Sequence, residues 1–477
     1  MRARPAMYLD RVSQICKKYA FPYAPLFYQR DEVNRAVEES IDKFGYYWDM
    51  GAGKTFGTTL HNCIWHENLG GVVIQLCPPI LLKQWSKWLT SCGIKNVIYA
   101  GSPQYRKSVT LTRDTRYILM SVAILKRDYQ YLMDKFTGWR LNVTIDEAVC
   151  IKNYESGNFI HVFQMQQIHN AAIIPATGTP LATPRDAYAY VKLVAPGTYR
   201  SFRSFENVHV AASDQYGRPT EWKNLHILKN ALALNSSFVS TPEVHPDMPR
   251  ANVDAIEYDL GKHHQTLYKT LVDQQLLAYE SGEIIDATTP QRLYHAVQQI
   301  VVNYAHFGQD NSLKPESFEF LDEYAQELGK TKAIIFATYK MSVRSIMAYL
   351  KILGRKAVQI NGDVSGTKIQ ENKEAFINDP DIQFLVMNPQ SGGVGVDGLQ
   401  HVCHHMVFVE IPTLPKDFWQ AVKRLERPGQ KFVTDVRILT ALGTVQVHLR
   451  KQLENKDALI NTVVPSLNSL RDALYGK

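Results

Sequence analysis

Short apolar runs rich in β-branched residues, closed off by Gly, Asp or Pro, alternate along this chain with segments whose apolar positions recur at helical spacing. In the first half the runs are FGYYW (44–48), GVVIQLC (71–77), YILMSV (117–122), LNVTI (141–145) and AAIIPAT (171–177). Apolar on both faces and separated by helix-length segments, they predict parallel strands buried under helices. The second half repeats the rhythm with AIIFAT (333–338), KAVQI (356–360), IQFLVM (382–387), HMVFVEI (405–411) and VRILTA (436–441). Two successive α/β units are the economical reading. Between them, the stretch from about Phe205 to Val253 is more polar and turn-rich, which predicts a linker with small helical pieces. A helical region from His263 to about Leu328 then precedes the second sheet.

Length agrees with two or three domains, since 477 residues exceed one comfortable core. A net charge of +7 over that length permits nucleic-acid binding without arguing for it, so a positive face has to be local. The six cysteines form no CxxC pair and no Cys/His ligand spacing, which favours reduced thiols over zinc ligands or disulfides. The N-terminus lacks an uninterrupted apolar core, and no stretch approaches the roughly 18 apolar residues of a spanning helix. The expectation is a soluble intracellular protein without a membrane partner.

Chemistry enters with YYWDMGAGKTFGTT (46–59). Gly53-Lys54-Thr55 follows a predicted strand and opens a helix, the context in which backbone N–H groups cradle phosphates. There a lysine neutralises β/γ charge and a hydroxyl holds Mg²⁺. Trp48 stands where the usual first glycine would be, but Gly51 and Gly53 still allow close backbone approach. LNVTIDEAVC (141–150) ends a strand in Asp146-Glu147, two carboxylates at the edge where ligands of open α/β sheets bind. The expected division is Asp146 on Mg²⁺ and Glu147 orienting the attacking water. ATGTPLATP (176–184) supplies a rigid hydroxyl-bearing turn, SGGVGVDGL (391–399) a glycine-rich loop and QAVKRLERPGQ (420–430) a pair of arginines. Arg424 and Arg427, three apart, are expected on one helix face, suited to the spread charge of phosphoryl transfer. Each segment alone has a plainer reading as a turn, a junction or a solvated basic face. Five in order, each at the end of the strand it should follow, dismiss those readings together.

The ordered set resembles the superfamily-two helicase motor and, within it, the SWI/SNF-like DNA translocases. MGAGKT is similar to MGLGKT, and VVIQLCPPILLKQWSKWL (72–89) to the family's strand, Cys-Pro and paired-aromatic segment. DEAVCIKN resembles DEAH followed by Ile-Lys-Asn, and QAVKRLERPGQ matches QAxxRxxRxGQ. The resemblance spans about Leu26 to Leu442 and implies two tandem RecA-like lobes, parallel sheets flanked by helices, with an ATP cleft between them. It implies an N-terminal extension (1–24), a first lobe (25–204), a linker or insertion (205–252), a helical approach to the second lobe (253–331), that lobe (332–460) and a tail (461–477). ATP and Mg²⁺ follow as ligands. Gln29 would read adenine, Gly395 and Asp397 would join the nucleotide site, and Lys54, Glu147, Arg424 and Arg427 would carry catalysis. Phosphates of DNA would meet Lys83, Gln84, Ser121, Thr338, Gly362 and Ser391; for Lys83 and Lys87 a solvated helix face is an equal alternative.

The implied activity is an ATP-dependent DNA helicase or translocase acting on duplex or forked DNA as a monomer, of a compact kind that looks phage-encoded or bacterial and cytoplasmic. An RNA helicase on the same motor, or a scaffold that binds nucleic acid without hydrolysing ATP, are the alternatives. Trp48 and Asp49 replace the family's usual Asp-Glu, Val149 replaces the DEAH histidine and Glu426 sits where histidine is frequent.

Overall fold

The computed structural model describes residues 9–274 (except 182, 214–216 and 218), 276–278, 284–286, 298–303, 314–389 (except 365) and 398–453 (except 413, 414, 448 and 452). The chain divides between Pro246 and Asp247 into two compact units, each built on a parallel sheet.

In the first unit the strands are β1 (Gly45–Trp48), β2 (Val72–Leu76), β3 (Asn96–Ile98), β4 (Tyr117–Met120), β5 (Leu141–Asp146) and β6 (Ala172–Ala176). An antiparallel ribbon, β7 (Val210–Ser213) and β8 (Pro219–Trp222), stands apart, and β9 (Ser236–Val239) returns to the sheet. The sheet order is β3-β4-β2-β5-β6-β1-β9, with every neighbouring pair parallel. Alternate residues feed opposite faces. Val72, Ile74, Leu76, Leu141, Val143 and Ile145 fill one core, whereas Val73, Cys77, Tyr117 and Leu119 fill the other. A sheet apolar on both faces has to be covered on both, as the runs predicted. Helices α1 (Arg11–Lys18), α2 (Phe27–Ser40), α3 (Lys54–Leu69) and α4 (Leu82–Ser91) supply cover on the second face.

The second unit carries β10 (Asn252–Tyr258), a short antiparallel pair β11 (Leu276–Ala278) and β12 (Ile284–Asp286), then β13 (Ala333–Phe336), β14 (Lys356–Ile360), β15 (Ile382–Met387), β16 (His405–Phe408) and β17 (Asp435–Ala441). Its parallel sheet runs β10-β17-β16-β13-β15-β14. Ile334 and Phe336 face one core, Ala333 and Ile335 the other.

Strands in and just after the segment read as a linker depart from the sequence reading. The segment 205–252, read as a linker, contains β9, which pairs with β1 over four residues from Gly45↔Ser236 to Trp48↔Val239. Ser236 and Ser237 break the apolar run that would have announced it, yet all four residues are buried. β10 and the β11/β12 pair lie in or beside the region read as a helical approach to the second sheet. β10 is an edge strand whose polar residues face solvent, so its pattern gives no buried run.

Candidate active site

Sheet order decides which motifs meet in the first unit. β6 lies between β5 and β1, with Ala176 in register with both Asp146 and Tyr46. The loops leaving β1, β5 and β6 therefore emerge side by side at one sheet edge. These carry Gly51–Thr55, Asp146-Glu147 and Thr177-Gly178.

The phosphate loop needs two left-handed glycines, Gly51 (φ 84°) and Gly53 (φ 76°), the second serving as N-cap of α3. A side chain at Gly53 would also strike the Gln29 amide nitrogen, Nε2. Gln29 donates from Nε2 to the Ala52 carbonyl (3.2 Å), and the Tyr28 hydroxyl donates to the same oxygen (2.8 Å). Lys54 folds back over the loop, its Nζ donating to the carbonyls of Trp48 (2.9 Å) and Asp49 (3.2 Å). Gly178 reaches the same spot, since a Cβ there would lie 3.3 Å from Lys54 Nζ. The third strand end thus closes against the loop, which is why that turn is made of small residues.

The two departures in the loop have structural explanations. Trp48 is fully buried, points away from the phosphate side and donates from Nε1 to the Ser237 hydroxyl on β9 (2.7 Å). Its ring lies over Gly57 of α3, where a Cβ would meet Cζ3 at 2.6 Å. Asp49 accepts from the Thr241 amide (3.0 Å), and the Thr241 hydroxyl donates to the Met50 carbonyl (3.0 Å). The loop is therefore held from behind by β9 and the turn after it.

Asp146 is buried, with Oδ2 accepting from the Trp85 indole N–H (2.8 Å) and Oδ1 from the Glu147 amide (3.1 Å). Burial and then the adjacent Glu147 carboxylate push its carboxyl up to about 6, while the Trp85 indole and the Lys54 ammonium pull it down. Glu147 stands in the left-handed region (φ 51°, ψ 53°), a conformation that costs a non-glycine residue of order 1–3 kcal/mol. Beneath the pair, Asn62 of α3 bonds to Asn142 and Thr144 of β5, all buried, so the phosphate-loop helix is tied to the carboxylate strand by a satisfied polar cluster. Beyond it, Lys152 pairs with Asp186 (3.0 Å), linking the Ile-Lys-Asn segment to the turn after β6.

In the second unit the arginines do not share a helix face. The helix Pro415–Val422 ends before them, and residues 423–429 form turns. Pro428 disfavours helical backbone at Arg427, and Gly429 (φ 96°) turns the chain away. Gln430 locks this geometry, its Nε2 donating to the Cys403 (3.0 Å) and Leu425 (3.3 Å) carbonyls. Arg424 is 4% exposed whereas Arg427 is half-buried with Nε on the Lys423 carbonyl (3.1 Å). Glu426 accepts from the Ala251 amide (3.2 Å), so this residue anchors the start of β10.

Among the expected nucleic-acid contacts, Lys83 and Gln84 lie exposed on α4, while Ser121 is buried and caps the helix Val122–Arg127 through the Ile124 amide (3.3 Å). Thr338 and Gly362 follow β13 and β14 at one edge of the second sheet. The Thr338 amide is taken by Glu410 Oε2 (2.6 Å), a fully buried carboxylate that also accepts from the Tyr339 amide (3.0 Å) and the Ser342 hydroxyl. Burial pushes Glu410 up to about 7 despite those three donors. Ser391, Gly395 and Asp397 lie outside the described residues. Sequence reasoning did not single out the roles of Trp85, Ser237, Thr241 and Glu410, whose partners are distant in sequence.

The SNF2-related domain matches residues 48–304, and the helicase conserved C-terminal domain matches 316–429. The chain belongs to the SNF2-related family. It is an ATPase of the helicase type. This SNF2-related chain is 21% identical to an uncharacterized ATP-dependent helicase, YqhH, of Bacillus subtilis over 95% of its own length and 82% of that protein's. It is also 21% identical to the human DNA annealing helicase and endonuclease ZRANB3 over 86% of its own length, and it spans 37% of that relative. A solved SWI2/SNF2 ATPase core from Sulfolobus solfataricus, in complex with dsDNA, shares 20% identity over 96% of this chain and 95% of that one, with a TM-score of 0.43. Among the described residues, no helix is long and apolar enough to cross a membrane.

Proposed function

We propose that the protein couples hydrolysis of ATP to movement along, or remodelling of, duplex or forked DNA. The observation that carries the reading is the meeting of Lys54, Asp146-Glu147 and Gly178 at one sheet edge, set by the β5-β6-β1 order. DNA as the track is supported by the family and by the human relative, a DNA annealing helicase.

In this reading Gly51 and Gly53 let the backbone approach the phosphates, and Lys54 exchanges its two carbonyl partners for β/γ oxygens. Gln29, fixed on the Ala52 carbonyl, reads the adenine edge. The donor set suits Mg²⁺: Asp146 and Thr55 offer hard oxygens, and two adjacent carboxyls make a spot short of positive charge. When bound, Mg²⁺ neutralises charge between the transferring phosphates. Glu147 orients and deprotonates the attacking water, and Arg424 and Arg427 are the guanidiniums assigned to the developing charge of phosphoryl transfer. Sequence-independent phosphate contacts make the DNA affinity fall with salt.

The test is ATP turnover alone and with duplex, single-stranded and forked DNA and RNA, beside Glu147→Gln. Stimulation by duplex or fork, reduced about 10²- to 10⁴-fold in the variant, supports the reading. Stimulation by RNA alone, or DNA binding without turnover, overturns it.

A further inference from the structure

Helix α4 has two chemically different faces. Lys83, Gln84 and Lys87 are exposed on one, and Trp85 and Trp88, three residues apart, occupy the other. Both indoles are used as donors into the nucleotide motifs. Trp85 Nε1 reaches Asp146 Oδ2 at 2.8 Å in a buried setting. Trp88 Nε1 reaches the Thr59 hydroxyl at 3.0 Å, and that hydroxyl donates to the Thr55 carbonyl at 2.6 Å, in the first turn of α3. One rigid helix of ten residues therefore touches the carboxylate at the end of β5 and the helix behind the phosphate loop.

We propose that Trp85 and Trp88 are positioning residues that fix the Asp146 carboxylate and the first turn of α3, and so make α4 the element through which DNA on its Lys83/Lys87 face alters hydrolysis. The DNA half rests on the function proposed above; the positioning half does not. An indole suits the task because its single N–H can donate but not accept, so it cannot compete with Asp146 for a cation. Partners of this kind, behind a metal ligand, typically govern metal affinity about 10- to 100-fold. The ring also fills the core under α4, so Phe is the informative substitution: it keeps the packing and deletes the donor.

The experiment uses the full chain and a fluorescent ATP analogue, with affinity measured in Mg²⁺ and in EDTA. Trp85→Phe is expected to bind the analogue normally in EDTA and to lose about tenfold of the Mg²⁺-dependent gain. An unchanged gain overturns the role. Trp88→Phe is expected to lower the ratio of duplex-stimulated to basal turnover several-fold at saturating DNA; an unchanged ratio overturns the coupling. If Trp85→Phe does not fold, Trp88→Phe decides. Absence of DNA stimulation in the unsubstituted protein would sink the translocase reading alone, and the Mg²⁺ gain of Trp85→Phe would still judge the indole contact.

Discussion

The phosphate loop and the arginine segment both look complete as short motifs, yet the fold builds them in opposite ways. The loop lies between a strand and a helix that begins at Lys54, and its rear is held by residues far along the chain, Ser237 and Thr241. The arginines lie past the end of a helix, on turns set by Pro428 and Gly429 and tied down through Gln430 and Glu426. A spacing rule transfers to geometry only where the element continues through the motif. It does so at Lys54-Thr55 and fails at Arg424/Arg427, where one guanidinium is buried and the other half-buried.

That contrast is most sharply broken by removing one arginine at a time. Arg427→Ala is expected to lower kcat about 10³-fold with nucleotide affinity largely kept, and Arg427→Lys to recover little, because the planar fork is lost. Equal losses in kcat alone for Arg424→Ala would mean that the burial difference is irrelevant to catalysis. We expect Arg424→Ala to lower the melting temperature as well.

The units also differ in their buried acids. Glu410 binds its proton more tightly in the folded second unit than the ordinary value of 4.5, up to about 7. Its stabilisation is therefore complete below about 4.5 and is lost as pH rises through about 7, by an amount on the order of 3 kcal/mol. Glu410→Gln should flatten that part of the pH profile of unfolding, read by calorimetry. Asp146 drifts the same way in the first unit, with its fall reaching about pH 6.

Smaller effects probe the loop's backing. Gly57→Ala places a Cβ 2.6 Å from the Trp48 ring and is expected to cost about 1–3 kcal/mol, partly recovered by adding Trp48→Phe. Glu426→Ala removes one acceptor for the Ala251 amide and is expected to cost about 1 kcal/mol in denaturant unfolding.

Most buried strands were legible because both faces of each sheet are covered, leaving continuous apolar runs such as VVIQL and IQFLVM. β9 and β10 were not, for separate reasons. β9 buries two serines whose hydroxyls find partners, Ser237 accepting from Trp48, and β10 sits at an edge with one side in water. At the site, Lys54, Asp146 and Glu147 were readable because their chemistry follows from strand-end position. The residues that hold them were not, since Trp85 lies 61 positions from Asp146 and only the fold brings them together.

The pairing of β9 with β1 also sets a timetable for synthesis. The Trp48–Ser237 bond closes a loop of 189 residues, so a chain emerging from the ribosome exposes its phosphate loop long before the backing strand arrives. Non-local closure of this kind is expected to make the nucleotide site a late part of the first unit to mature. Nascent chains arrested before Ser236 should hold ATP poorly, and those extended past Val244 should hold it well.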